Sequence, residues 1–263
     1  MQLFGSAAVL AAAVSFAPAQ SINISVTNEA PTGGFSFTPI WVAAHNGGFD
    51  VYDSGVSAAG FAGLEALAEE GMTGDISAAF GASAAGGAGG VDTTLVSSAG
   101  APPFTPGESQ SFSLNVGDAT VNRYFSYASM VVPSNDLFFA NGNPFAVELF
   151  DAAGNFNGPV TIQIFGSDVL DAGTEVNDAL GGAAFSANGG AGADENGLIG
   201  TFFAQAGAGA YLDSFIGTDT ADGGTITTAF GRDDLLATIT ITPTPGTAGV
   251  LALGAIAGVR RRR

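Results

Sequence analysis

Three acidic residues stand where oxygen chemistry is possible: Asp136, Asp171 and Glu175. Asp136 follows Pro133-Ser134-Asn135, a stretch that stops a sheet ladder because proline has no N–H to give it. Asp171 and Glu175 lie four positions apart in Asp171-Ala172-Gly173-Thr174-Glu175, around a glycine that lets the chain double back. Carboxylates on such loops are hard oxygen ligands, and Ca²⁺ takes roughly six to eight oxygens in flexible geometry. The same pattern suits a solvated acidic turn. A carboxylate pair at the right separation also does glycosidase work. Residue types and spacing leave these readings open.

The elements that must carry these acids read as strands. Arg123 to Val132 alternates, with Phe125, Tyr127 and Ser129 on one face and Ser126, Ala128 and Met130 on the other, so Asp136 falls on a loop just past a strand end. Ser21 to Thr27 sets Ile22, Ile24 and Val26 against polar residues, and Phe35 to Ala44 is a second strand broken by Pro39. Further strands are expected at Asp92 to Ser97, Ser109 to Val116, Phe145 to Phe150, Val160 to Phe165, Leu198 to Gln205 and Leu235 to Thr242, punctuated by glycine turns. Val56 to Glu70 carries leucines at helical spacing and stops at Gly71, which predicts one short helix. Phe80 to Gly90 and Gly181 to Gly197 are rich in glycine and alanine and read as long loops. The expected fold is all-β: a two-sheet antiparallel β-sandwich with one short helix and long Gly/Ala-rich loops.

Pro133-Ser134-Asn135-Asp136 followed by Asp171-Ala172-Gly173-Thr174-Glu175 resembles the PSPD…DAGTD pair of the spondin N-terminal domain family, known from F-spondin and mindin and from bacterial secreted proteins. Thr38 to His45, Asp53 to Gly71 and Ala128 to Val131 agree with it in order, so the resemblance covers roughly Ile22 to Thr242. It implies that Asp136, Asp171 and Glu175 are Ca²⁺ ligands. Glu175 stands where the animal domains have aspartate, and Leu137 stands in place of their tryptophan. The resemblance also implies adhesion or extracellular-matrix roles for a non-catalytic module.

Composition narrows the function classes. Six basic residues face 24 acidic ones for a formal net charge of −18, and four of the six are Arg260 to Arg263. Such a surface repels nucleic acid and anionic lipid. With no cysteine, thiolate catalysis and Cys-containing zinc sites are excluded. His45 is the only histidine, at a strand end, and is expected to be a structural hydrogen-bonding residue. The late acids Asp194-Glu195, Asp213, Asp219, Asp222 and Asp233-Asp234 lack EF-hand spacing and read as solvated loops.

The ends read as sorting devices. Residues 2–16 are mainly apolar and Ala17-Pro18-Ala19 is a small-x-small cleavage pattern, which predicts a signal peptide over 1–19 and Gln20 as the first mature residue. The domain then spans 20–242. Residues 243–263, a Pro-Thr-Pro motif, an apolar run and four arginines, resemble the bacterial PEP-CTERM sorting signal, with Thr244 where that motif has glutamate. At ~1.5 Å per residue the apolar run reaches only about 20 Å, against roughly 30 Å of hydrocarbon, so it is expected to pause in the membrane and then be cut by a sorting protease. The sequence therefore predicts a secreted or cell-surface, calcium-binding adhesion module whose partner is an extracellular polymer or surface protein. The rival readings are an extracellular polysaccharide hydrolase using the same carboxylates, and a purely structural biofilm component.

Overall fold

Period-two alternation builds the smaller of two sheets in the computed structural model, which describes residues 21–98, 103–179, 181–187, 189 and 192–244. In β1 (Ser21–Asn28), Ile22, Ile24 and Val26 are buried while the intervening Ser, Asn and Thr face outward. β1 lies between β5 (Ser109–Asn115) and β11 (Leu235–Pro243), and β8 (Val160–Phe165) completes the sheet, all pairs antiparallel. The outer face is a lattice of small neutral side chains: Ser25, for example, pairs with Ser111 on one side and Thr240 on the other.

The larger sheet follows a different sequence rule. Its order is β10 (Gly200–Thr201), β9 (Leu170–Asp171), β7 (Leu137–Ala140), β6 (Tyr124–Val132), β3 (Ile40–His45) and β4 (Val91–Leu95), with β2 (Ser36–Phe37) pairing the end of β6. Along β3, Ile40, Val42 and Ala44 enter the core between the sheets, while Trp41 and Ala43 enter a second core on the opposite face. Leu137 and Phe139 of β7 likewise oppose Phe138. Strands buried on both faces need apolar residues at every position, which is why Ile40 to Ala44 and Leu137 to Phe139 read as continuous runs.

Short helices cover the outer face of the larger sheet. These are α1 (Leu64–Glu70), α2 (Gly74–Ala82) and α3 (Ala84–Gly87), and they bring Leu64, Leu67, Ile76, Phe80 and Ala85 onto Trp41 and Phe138. The expected Val56–Glu70 helix is thus shorter: a 3-10 turn at Ala58–Gly60 precedes α1, which begins after Gly63 in the left-handed region (φ 85°). Phe80 to Gly90, expected to be a loop, is helical through Gly87, because Phe80 and Ala85 are buried and Ser83 Oγ caps α3 by accepting from the Ala85 and Gly86 N–H groups. A fourth helix, α4 (Ala208–Asp213), was not foreseen. Phe145 to Phe150 forms only isolated bridges, Tyr124↔Glu148 and Phe150↔Phe156, rather than a strand.

The described part is a β-sandwich of two antiparallel sheets with few short helices. Its last strand extends through Pro243, and the Thr244 N–H donates to the Ser21 carbonyl at 3.1 Å. The expected signal peptide and the apolar-arginine part of the expected tail lie outside the described residues. Among the described residues, no helix is long and apolar enough to cross a membrane.

Candidate metal centre

The site is assembled by the pairing of β7 with β9. Leu137 faces Asp171 and Phe138 faces Leu170, so the residue before β7, Asp136, meets the residues after β9. The Ala172 N–H accordingly donates to the Asp136 carbonyl at 3.2 Å. The turn that delivers Asp136 begins at a cis Val132–Pro133 bond and is closed by Ser134, whose Oγ donates to the Val131 carbonyl (2.6 Å) and accepts from the Leu137 N–H (3.1 Å).

Asn135 anchors this turn from the other side. Its N–H donates to the Tyr211 hydroxyl (3.0 Å), while its Oδ1 accepts from that hydroxyl (2.8 Å) and from the Asp178 N–H (3.0 Å). Tyr211 belongs to α4, so the unforeseen helix secures the Asp136 turn.

Asp136 is fully buried, and its two oxygens differ. Oδ2 accepts from the Thr174 N–H (2.8 Å), the Glu175 N–H (3.2 Å) and Thr174 Oγ1 (3.3 Å). Oδ1 is buried with no hydrogen-bond partner. Asp171, 3% exposed, accepts from the Gly173 N–H at Oδ1 (2.8 Å) and from Asn177 Nδ2 at Oδ2 (2.5 Å). The Asn177 Oδ1 is a second buried oxygen without a partner. Burial pushes the Asp136 carboxyl up to about 7, and the negative charge of Asp171 adds to this against the N–H groups of Thr174 and Glu175.

Gly173 gives the acidic turn its shape. It sits at φ 67°, and a Cβ there would lie 2.8 Å from the Gly197 carbonyl carbon and the Leu198 nitrogen. The Gly197 N–H in turn donates to the Gly173 carbonyl at 2.7 Å. Only glycine meets both demands at this position.

Of the three acids singled out by sequence, Asp136 and Asp171 come together and Glu175 is engaged elsewhere. Its Oε1 accepts from the Gly192 N–H at 3.0 Å, and its Oε2 lies 3.5 Å from Asn135 Nδ2. Burial raises its pKa, with Asp194 and Glu70 contributing repulsion against the hydrogen bonds from Asn135 and Gly192. Among the described residues, no group of three or more His, Cys, Asp or Glu residues is arranged to hold a metal ion. Asp136 and Asp171 are the two carboxylates that meet, and Asn177 reaches them through Nδ2, which donates to Asp171 Oδ2.

The donor chemistry fits a hard cation. An unpartnered buried carboxylate oxygen costs about 1–3 kcal/mol or more, and a second carboxylate beside it raises that cost. The unpartnered oxygens of Asp136 and Asn177, beside a second carboxylate, are the hard, negatively charged donor type that Ca²⁺ takes. Asn177, Asn135, Thr174 and Tyr211 were not singled out by sequence. Asn177 had the clearest signal, an amide oxygen two positions after Glu175. Asn135, Thr174 and Tyr211 act through hydrogen bonds to distant segments, which no local spacing encodes.

His45 lies away from this set. It is fully buried, its Nδ1 accepts from the Gly47 N–H (2.9 Å) and its Nε2 contacts Ser126 Oγ (2.9 Å). With Nδ1 as acceptor, the proton resides on Nε2 and is donated to the serine. Asp219 holds the Oγ1 of Thr225 (2.8 Å) in an exposed turn.

No family model matches this sequence, and no curated protein matches it.

Proposed function

We propose that this protein is an exported, calcium-stabilised, non-catalytic β-sandwich module that works at the cell surface or in extracellular matrix, with an extracellular polymer or surface protein as its partner. The observation that carries the metal reading is the buried, unpartnered Oδ1 of Asp136 beside the Asp171 carboxylate. Ca²⁺ bound there removes the repulsion between the two carboxylates and ties the Asp136 turn to the turn around Gly173. The sequence resemblance and the expected export signals support the location. Ser21 and Thr244 lie side by side, so cleavage after Ala19 and near Pro245 would leave β1 and β11 intact.

A hydrolase is the second reading, because burial and Asp171 raise the Asp136 carboxyl to about 7, the range that suits a general acid. Access weighs against it. Both aspartates are buried, and the polar cavity of about 140 Å³ beside the turn is lined by Glu65, Thr174, Asp194 and Asn196, among others, but by neither aspartate.

Calorimetric titration of the full chain with Ca²⁺ tests the metal reading. Wild type and Asp219→Asn are expected to bind alike, and Asp136→Asn to bind far more weakly. Absence of binding in wild type would refute it. Hydrolysis of extracellular polysaccharides by wild type, lost in Asp136→Asn, would establish the enzyme instead.

A further inference from the structure

We propose that Asn177, rather than Glu175, supplies the third side-chain oxygen of the calcium site. This inference rests on the calcium reading and changes its ligand set. The Asn177 carboxamide is fixed by its Nδ2 contact to Asp171 Oδ2 at 2.5 Å, and its own Oδ1 is buried without a donor, as is Asp136 Oδ1. Exchanging the carboxamide oxygen and nitrogen does not remove the demand. Oδ1 would then face Asp171 Oδ2 at that short contact, which requires a proton or a cation shared between the two oxygens. In the orientation of the structure, Asn177 presents a buried oxygen that lacks a proton donor.

Glu175 has a different task. One of its oxygens takes the Gly192 N–H, the other faces Asn135 Nδ2, and a Cβ on residue 192 would lie 2.3 Å from its Oε2. Its carboxylate thus occupies a niche shaped by a missing side chain. The Val176 N–H also bonds the Ala193 carbonyl (2.9 Å), and the Glu195 N–H the Thr174 carbonyl (2.6 Å). Glu175 straps the acidic turn to the segment from Gly192 to Glu195.

Charge balance agrees with this division. Asp136 and Asp171 supply two negative charges to match a divalent ion, and a neutral amide oxygen adds a ligand without adding a third buried anion.

The test uses Ca²⁺ calorimetry and Tb³⁺ luminescence on the full chain, with circular dichroism in chelator to check the fold. Asn177→Ala is expected to weaken Ca²⁺ by at least about tenfold, a loss typical even for the outer partners of metal ligands. Glu175→Gln is expected to bind within about threefold of wild type, well short of that loss. Asn177→Asp keeps an oxygen and adds charge, so it is expected to bind at least as tightly as wild type. Binding unchanged in Asn177→Ala, or lost equally in Glu175→Gln, would overturn the assignment while leaving a calcium site in place. If Asn177→Ala does not fold, Asn177→Ser is read in its place: unchanged binding there excludes a ligand role. Failure of wild type to bind either ion would remove the calcium reading and this assignment together.

Discussion

Asp136 and His45 are both fully buried ionisable residues, and the structure satisfies them differently. Each nitrogen of His45 has a partner, so the neutral ring needs nothing further, whereas one oxygen of Asp136 has none. Burial lowers the His45 pKa from 6.5 to about 4. A group whose folded pKa lies below its unfolded value contributes stability above the unfolded value and loses it as pH falls. His45 is therefore expected to cost stability progressively from about pH 6.5 to about pH 4, by roughly 3 kcal/mol in all. Urea unfolding of wild type and His45→Gln across that range should show the slope in their difference, with Ca²⁺ binding unchanged in the variant. Tyr211→Phe makes a companion test: it strands the buried Asn135 N–H and should cost about 1–3 kcal/mol in the same assay. At this scale the sequence was legible in part. Asp136 and Asp171 lie side by side, a pairing that the resemblance implied and that spacing alone left open. The Glu175 carboxylate bonds the Gly192 N–H instead, in a niche that a side chain on residue 192, far along a glycine-rich stretch, would fill.

Between elements, glycine decides where the helices can sit. Gly63 caps α1 at φ 85°, and a Cβ there would lie 2.2 Å from the Ile76 nitrogen of α2. Gly55 has a similar φ of 81° but open space around it. Gly55→Ala should cost only the left-handed penalty, about 1–2 kcal/mol. Gly63→Ala should cost several, since α1 and α2 must also separate and give up part of the core around Trp41 and Phe80. Chemical denaturation of the two variants checks the difference, and equal losses would show that helix approach is not constrained there. The same packing explains what sequence patterning missed. Alternation located β1 and β11, which are buried on one face, whereas Leu137 to Ala140 is buried on both and carries no period to detect. Phe80 to Gly90 looked like a loop from its glycines, yet Phe80 and Ala85 fold it onto the sheet, where burial outweighs propensity. Phe145 to Phe150 alternates, but Phe145 is 55% exposed and the segment meets the start of β6 only through single bonds such as Phe125 N–H to the Val147 carbonyl (2.9 Å).

For the whole molecule, the question is what a chain with a net charge of −18 gains from two buried carboxylates side by side. Without a cation they repel each other within a surface that already repels itself, so the two turns they occupy should be the weak point of the larger sheet. On the calcium reading, Ca²⁺ would cross-link β7 and β9 and, through Asn135 and Tyr211, α4. Extracellular calcium modules bind at about 10⁻⁴ to 10⁻³ M. At a hundred times the dissociation constant, mass action adds about 2.7 kcal/mol to folding. For a domain of this size that corresponds to a rise in Tm of roughly 5–10 °C between chelator and saturating calcium. Asp136→Asn or Asp171→Asn should remove most of the rise, whereas Asp219→Asn, in its exposed turn, should leave it intact. Mg²⁺ should give a smaller rise, because it demands tighter octahedral geometry than two loops readily supply. Added NaCl separates this effect from general screening: it weakens surface repulsion in every variant alike, so it should shift wild type and Asp136→Asn in parallel in chelator. Identical melting of wild type in chelator and in calcium would leave the buried oxygens of Asp136 and Asn177 to be satisfied by water, with the sandwich held by its two apolar cores alone.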